Sequence, residues 1–139
     1  MTKRVVFVCV ENSNRSQMAE AFARMYGAGR VEAYSAGSRP SGRVNPQAVA
    51  AMKELGYDLT THTSKGLTDL PPGGYAAAVT MGCGDECPAV RAGIREDWGI
   101  PEPKGLPPDE FNRVRDLIGA KVRDLLTRLT GEPAASAAG

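Results

Sequence analysis

Hydrophobic and polar residues follow one another along this chain in blocks whose period changes. Residues 3–9, KRVVFVC, form a short continuous apolar run rich in β-branched residues, the pattern of a central parallel strand buried on both faces. From Ser16 onward Met18, Ala19, Phe22, Met25 and Tyr26 recur at helical spacing, and Gly27 and Gly29 supply a stop. A second strand is predicted over 30–36, ending at Gly37. Loop residues through Pro46 then lead to a helix carrying Ala48, Val49, Met52 and Leu55 before Gly56. After a Thr/Ser-rich stretch and the breaker Pro71-Pro72-Gly73-Gly74, the run YAAAVTM over 75–81 reads as a third buried strand. A short fourth strand is expected near 94–98, within a Gly- and Pro-punctuated excursion from Asp85 to Pro108. Asp109 opens an amphipathic helix on Phe111, Val114, Leu117, Ile118, Val122, Leu125 and Leu129, closed by Gly131. With no repeat and no linker, this order predicts an α/β fold: a three-layer sandwich whose central four-stranded parallel sheet is flanked by helices. One domain is expected over 1–130, with 131–139 a disordered tail.

Composition narrows the function. The 139 residues include seventeen basic and sixteen acidic side chains, a net charge of +1, so no sequence-wide field recruits nucleic acid or an anionic membrane. Anion binding, if present, is local. No apolar stretch approaches the ~18 residues of a membrane helix, and no charged segment followed by an apolar one marks a secretory signal. Three cysteines are an odd count, which with no secretory signal argues against a disulfide framework and for thiol chemistry, in a protein expected to be cytoplasmic and monomeric.

The decisive stretch is Cys9-Val10-Glu11-Asn12-Ser13-Asn14-Arg15-Ser16, which places a cysteine at a strand's end and an arginine six residues on, where a helix begins. A chain that turns from strand to helix so quickly aims successive backbone N–H groups into one concavity at the positive end of a helix dipole. A tetrahedral oxyanion fits residues Val10, Glu11, Asn12, Ser13, Asn14 and Arg15. Arg15 can chelate two of its oxygens, the same field favours the Cys9 thiolate as nucleophile, and Ser16 can donate a hydrogen bond to the sulfur. Asn12 suits a left-handed turn position.

The segment CVENSNRSQMAEA resembles the phosphate loop of the low-molecular-weight protein tyrosine phosphatase superfamily, in particular its thioredoxin-coupled arsenate reductases. Tyr34-Ser35-Ala36-Gly37 and His62-Thr63-Ser64 extend the resemblance over nearly all of residues 3–129. It implies the low-molecular-weight phosphatase fold, arsenate as substrate with phosphate as its analogue, thioredoxin as electron donor, and no cofactor or metal.

Cys83 and Cys87 choose between siblings, because a phosphatase needs one cysteine whereas a reductase must dispose of two electrons. Cys83 follows directly on a predicted parallel strand, at the same sheet edge as Cys9. In the relay the resemblance implies, Cys9 attacks arsenate, Cys83 attacks the Cys9 sulfur as arsenite leaves, and Cys87 then resolves that disulfide. The two relay cysteines stand closer together here than is usual in the related reductases. The alternatives are a protein or small-molecule phosphatase, possessing Cys83 and Cys87 as redox protection, and a thiol redox or metal-binding protein without turnover.

Family members carry an Asp-Pro in the long loop as general acid; the matching place here is Ile100-Pro101-Glu102-Pro103, making Glu102 the candidate and Asp97 the fallback. In some relatives an alkali cation is held by residues matching Asn12, Glu20 and Ser35 together with an aspartate matching Lys65. Lysine reverses that charge, so its ammonium is expected to replace the ion. His62 is expected to be a structural hydrogen-bonding residue, and Arg39 and Arg43 to be solvated loop residues able to steer an anion.

Overall fold

The computed structural model describes residues 3–82 and 90–131. Four strands, β1 (Lys3–Cys9), β2 (Val31–Gly37), β3 (Tyr75–Thr80) and β4 (Ala92–Asp97), form one parallel sheet in the order β2-β1-β3-β4. Helices α1 (Arg15–Tyr26), α2 (Pro46–Lys53) and α3 (Pro108–Thr130) complete the main elements, with short 3-10 turns at Leu59–Thr61 and Leu67–Asp69. The chain leaves β1 toward β2 on one side and later returns to place β3 on the other, so β1 stands at the switch point of the sheet. A crevice opens there, outside the carboxyl ends of β1 and β3.

The burial of β1 explains its sequence. Val5, Phe7 and Cys9 face a core shared with α1, α2 and α3, while Val6 and Val8 face a smaller cluster with Tyr75, Ala78, Leu67 and Leu70. Both faces are thus covered, and each such side chain contributes about 1.5–3 kcal/mol by leaving water. The expected four-stranded sheet flanked by helices is present; the described cover of the second face is the short turn at Leu67–Asp69.

Two details depart from the expected pattern. Leu117 of α3 is 42% exposed, although its neighbours Val114, Ile118 and Val122 are buried. One residue along a helix is a rotation of 100°, enough to carry Leu117 past the edge of the buried stripe. Strand β4 begins at Ala92, two residues before the predicted start, and among the described residues pairs only with β3. As an edge strand it exposes Gly93, Arg95 and Asp97 alternately, which weakens the apolar signal.

An ion pair fixes β4 against α3. Arg128 donates to both Glu96 oxygens at 2.6 and 3.1 Å, and Trp98 Nε1 donates to Glu96 Oε1 at 2.8 Å. The Arg128 hydrogen bonds foremost, then that from Trp98, bring the Glu96 carboxyl down to about 2. A carboxyl depressed on folding stabilises above its ordinary range, and the contribution is lost as pH falls toward about 2. The clamp anchors the start of the segment that carries Ile100 and Glu102 to the site.

Candidate active site

Residues 9–16 pass from β1 into α1 as expected, with Asn12 at φ 52°, the one non-glycine residue of positive φ among those described. The outer side of this loop is tied down through its carbonyls. Ser38 N–H donates to Cys9 O, Arg39 N–H to Val10 O, Ser41 N–H to Glu11 O and Asn45 N–H to Ser13 O, all at 2.8–3.1 Å. In a trans peptide the C=O and the following N–H point opposite ways. The N–H groups of Val10, Glu11, Asn12 and Asn14 are therefore turned away from the 38–45 segment, toward the loop's interior. The close approach needs Gly37, where a Cβ would stand 2.5 Å from Val10 O and 3.0 Å from Asn12 N.

Helix α1 completes the concavity. Its first turn carries no acidic residue, and Asn14 at its N-cap makes no capping hydrogen bond, so the positive end of the helix is uncompensated by its own side chains. Cys9, 2% exposed, has its Sγ 2.8 Å from Ser16 Oγ. Asn12 Nδ2 donates to the same Oγ at 2.8 Å, which leaves the Ser16 proton to point at the sulfur.

Arg15 is held edge-on. Its Nη1 donates to Met81 O at 2.6 Å and Ile100 O at 3.0 Å, using both hydrogens of that nitrogen. Its buried Nε has no hydrogen-bond partner among the described residues. The Nε–Nη2 edge is thus the fork presented to an oxyanion, the geometry suited to bidentate binding of a tetrahedral anion. Gly82, at φ 77°, lies beside Arg15 Nη1, and a Cβ there would stand in ordinary contact with it at 3.4 Å.

Of the two candidate acids, Glu102 reaches the site, with Oε2 at 3.6 Å from Arg15 Nε. Asp97 does not: its Oδ1 accepts from Thr80 Oγ1 at 3.0 Å and Gly82 N–H at 3.1 Å, fixing the turn out of β3. Cys83 and Cys87 lie outside the described residues. Arg39 and Arg43 are exposed; Arg43 lines a cleft of about 290 Å³ with Glu11, Ser13, Asn45 and Lys104.

Behind the loop, Glu20 of α1 accepts from Ser35 Oγ at 2.6 Å and pairs with Arg24 at 2.9 Å and with Lys65 Nζ at 3.4 Å. Lys65 Nζ also reaches Ser35 Oγ at 3.3 Å and Thr63 O at 3.2 Å, so an ammonium stands among these oxygens. Burial pushes the Glu20 carboxyl up, but His62, Ser35, Lys65 and Arg24 together outweigh it and hold it below its ordinary value. His62 itself is lowered, first by burial, so its charge helps Glu20 only in acid; at neutral pH Lys65 and Arg24 are the cations that remain. Among the described residues no group of three or more His, Cys, Asp or Glu is placed to hold a metal ion, and no helix is long and apolar enough to cross a membrane.

Several groups at the site escape the sequence pattern. The carbonyls that grip Arg15 carry no signal in residue type. Gln17, buried in the first turn of α1, and Tyr57, which bonds His62, become visible only through their partners. A polar residue at a position the helix buries was the available clue for Gln17.

Known proteins resemble this chain in sequence and in fold. A glutaredoxin arsenate reductase of Synechocystis is 37% identical over 131 residues, covering 92% of this chain and 99% of that protein. A solved arsenate reductase in its phosphate-binding state superposes with a TM-score of 0.85 at 37% identity, over 92% of this chain and 99% of the other. A thioredoxin-dependent arsenate reductase of Corynebacterium glutamicum matches with a TM-score of 0.75 at 30% identity, over 92% of this chain and 62% of the other. The model of low molecular weight phosphotyrosine protein phosphatases matches residues 4–135. With its phosphate loop, its parallel sheet and a match over nearly its whole length, the chain belongs to the low-molecular-weight phosphotyrosine protein phosphatase family.

Proposed function

We propose that this protein reduces arsenate to arsenite with Cys9 as nucleophile and Cys83 and Cys87 as an internal disulfide relay. The juxtaposition of the Cys9 sulfur, its Ser16 donor and the presented edge of Arg15 on one anion loop carries the oxyanion chemistry, and the arsenate reductases similar to this chain over nearly its whole length support reduction as its outcome. Support for a redox role, beyond phosphoryl transfer, comes from the chain passing Arg15 at Met81 and Gly82 immediately before Cys83.

In the proposed sequence the Cys9 thiolate attacks arsenate and an oxygen leaves as water, taking a proton from Glu102. The Cys83 thiolate then attacks Cys9 Sγ. The S–As bond breaks with its electron pair going to arsenic, arsenite departs, and a Cys9–Cys83 disulfide holds the two oxidised thiols. Cys87 attacks Cys83, frees Cys9 and leaves a Cys83–Cys87 disulfide for an external dithiol. We assign that role to thioredoxin; one relative bears a glutaredoxin name, so the donor is to be settled by coupling each to turnover.

Phosphate and arsenate are near-isosteres, and the loop serves a phosphatase equally well. Thiol titration separates the readings. A reductase loses two thiols per arsenite released in the absence of external reductant, and a Cys87→Ser variant traps the Cys9–Cys83 bridge; a chain that keeps all its thiols while hydrolysing an aryl phosphate is a phosphatase.

Two further outcomes follow from the site. Glu102→Gln, which removes the proton but keeps the shape, is expected to lower kcat for arsenate and for an aryl phosphate by about 10²-fold; full turnover with both would remove Glu102 from the mechanism. Because Lys65 supplies the positive charge beside Glu20, KM for arsenate is expected to be the same in potassium and sodium chloride at equal ionic strength. A potassium-specific gain in affinity would contradict that role.

A further inference from the structure

We propose that Tyr57 is a positioning residue for the Cys9 nucleophile, acting through a one-way chain of hydrogen bonds that runs from its phenol to the sulfur. The proposal rests on Cys9 being the nucleophile of the reading above, and holds whichever oxyanion Cys9 attacks.

The direction of the chain is fixed link by link. Gln17 Nε2 faces three acceptors, Asn12 Oδ1 at 2.8 Å, Thr63 O at 2.9 Å and Asn12 O at 3.1 Å, so its Oε1 is turned the other way. That oxygen lies 2.9 Å from His62 Nδ1, which must therefore carry a hydrogen. The opposite ring nitrogen, Nε2, sits 2.6 Å from the Tyr57 hydroxyl and accepts its proton, with the two rings edge to face at 5.4 Å. At the other end, Asn12 Oδ1 takes Gln17 Nε2–H and, at 2.9 Å, Lys65 N–H, which directs Asn12 Nδ2 at Ser16 Oγ. Ser16, accepting there, gives its own proton to Cys9 Sγ.

Five donors in series, from Tyr57, His62, Gln17, Asn12 and Ser16, thus all point toward the sulfur. Their dipoles polarise one another in the direction that favours a thiolate. The intermediate links also fix Asn12, the loop residue of positive φ. The chain needs a neutral His62 with a single ring hydrogen and a protonated phenol; burial lowers the one and, as the largest influence, raises the other. The charged groups around His62 are Glu20, with Oε2 at 3.7 Å, Arg24 and Lys65; Asp58 lies beside Tyr57, and Arg15 shares the loop with Cys9.

The test is the pH dependence of Cys9 alkylation by iodoacetamide in the reduced full-length protein, read by the mass of the Cys9 peptide. Tyr57→Phe keeps the ring and removes only the far donor, and is expected to move the half-maximal pH up by about 0.3 unit, with arsenate kcat falling about twofold and KM unchanged. In a Ser16→Ala background, where the last link is gone, the same change is expected to have no effect. An unaltered profile in Tyr57→Phe, or an equal shift with and without Ser16, would overturn the proposal. Should Tyr57→Phe fail to fold, 3-fluorotyrosine at position 57, a stronger donor of the same shape, decides it: a downward shift supports the chain and no shift overturns it. A Tyr57-dependent shift in a protein that consumes no thiols with arsenate would sink the reductase reading alone.

Discussion

Lysine in place of Arg15 is expected to lower kcat/KM for arsenate by about 10²- to 10³-fold, although the charge is unchanged. The reason is the division of labour within the guanidinium. Nη1 is committed to the carbonyls of Met81 and Ile100, and the remaining edge, with its buried Nε, is left for the anion. An ammonium carries three hydrogens on one atom and cannot hold two carbonyls while offering a planar fork to two oxygens. The same loss reaches aryl phosphate hydrolysis, since the fork serves any tetrahedral oxyanion. Steady-state kinetics with both substrates, together with a thermal unfolding curve to show that the loops after β3 and β4 are still tied, would check this. A variant within a factor of about three of the parent would mean that backbone N–H groups alone carry the anion.

Cys9→Ser is expected to remove turnover altogether, by a factor on the order of 10⁴ or more, while leaving phosphate binding in place. The loop carbonyls remain tied to Ser38, Arg39, Ser41 and Asn45, so the concavity persists without the sulfur. A serine hydroxyl is a far weaker nucleophile than a thiolate, and no disulfide can form at this position. Arsenate reduction and any phosphatase activity are expected to vanish together, because both start from one nucleophile. Survival of either in the purified variant, with phosphate still bound by calorimetry, would place the chemistry elsewhere.

How much of this is legible before the fold is known depends on the distance along the chain between partners. Strand β1 and helix α1 are separated by five residues, and each has a local pattern: an unbroken apolar run for a strand covered on both faces, then apolar positions at helical spacing. The Cys9 and Arg15 pair falls out of that pattern. The edge strand β4 is harder, because one free edge and alternate exposure leave only Ala92, Ile94 and Glu96 partly covered. The sequence ranked Glu102 ahead of Asp97 only through its place beside Pro103 in the long loop. Both lie after β3 in a Gly- and Pro-rich stretch, and what separates them is that Asp97 spends its oxygen on Thr80 and Gly82 while Glu102 reaches Arg15.

The sequence by itself determined the parallel α/β architecture and the anion loop, since strand, turn and helix follow from periodicity and from a cysteine and an arginine six residues apart. Only the tertiary structure decided what holds those residues in working geometry. Arg15 is oriented by carbonyls 66 and 85 residues away, Glu20 meets Lys65 across 45, and His62 reaches Gln17 across another 45. Such contacts leave no period in the chain. They arise when the switch point of the sheet gathers the ends of β1, β2 and β3 around one crevice, where buried polar groups must find partners or lose stability.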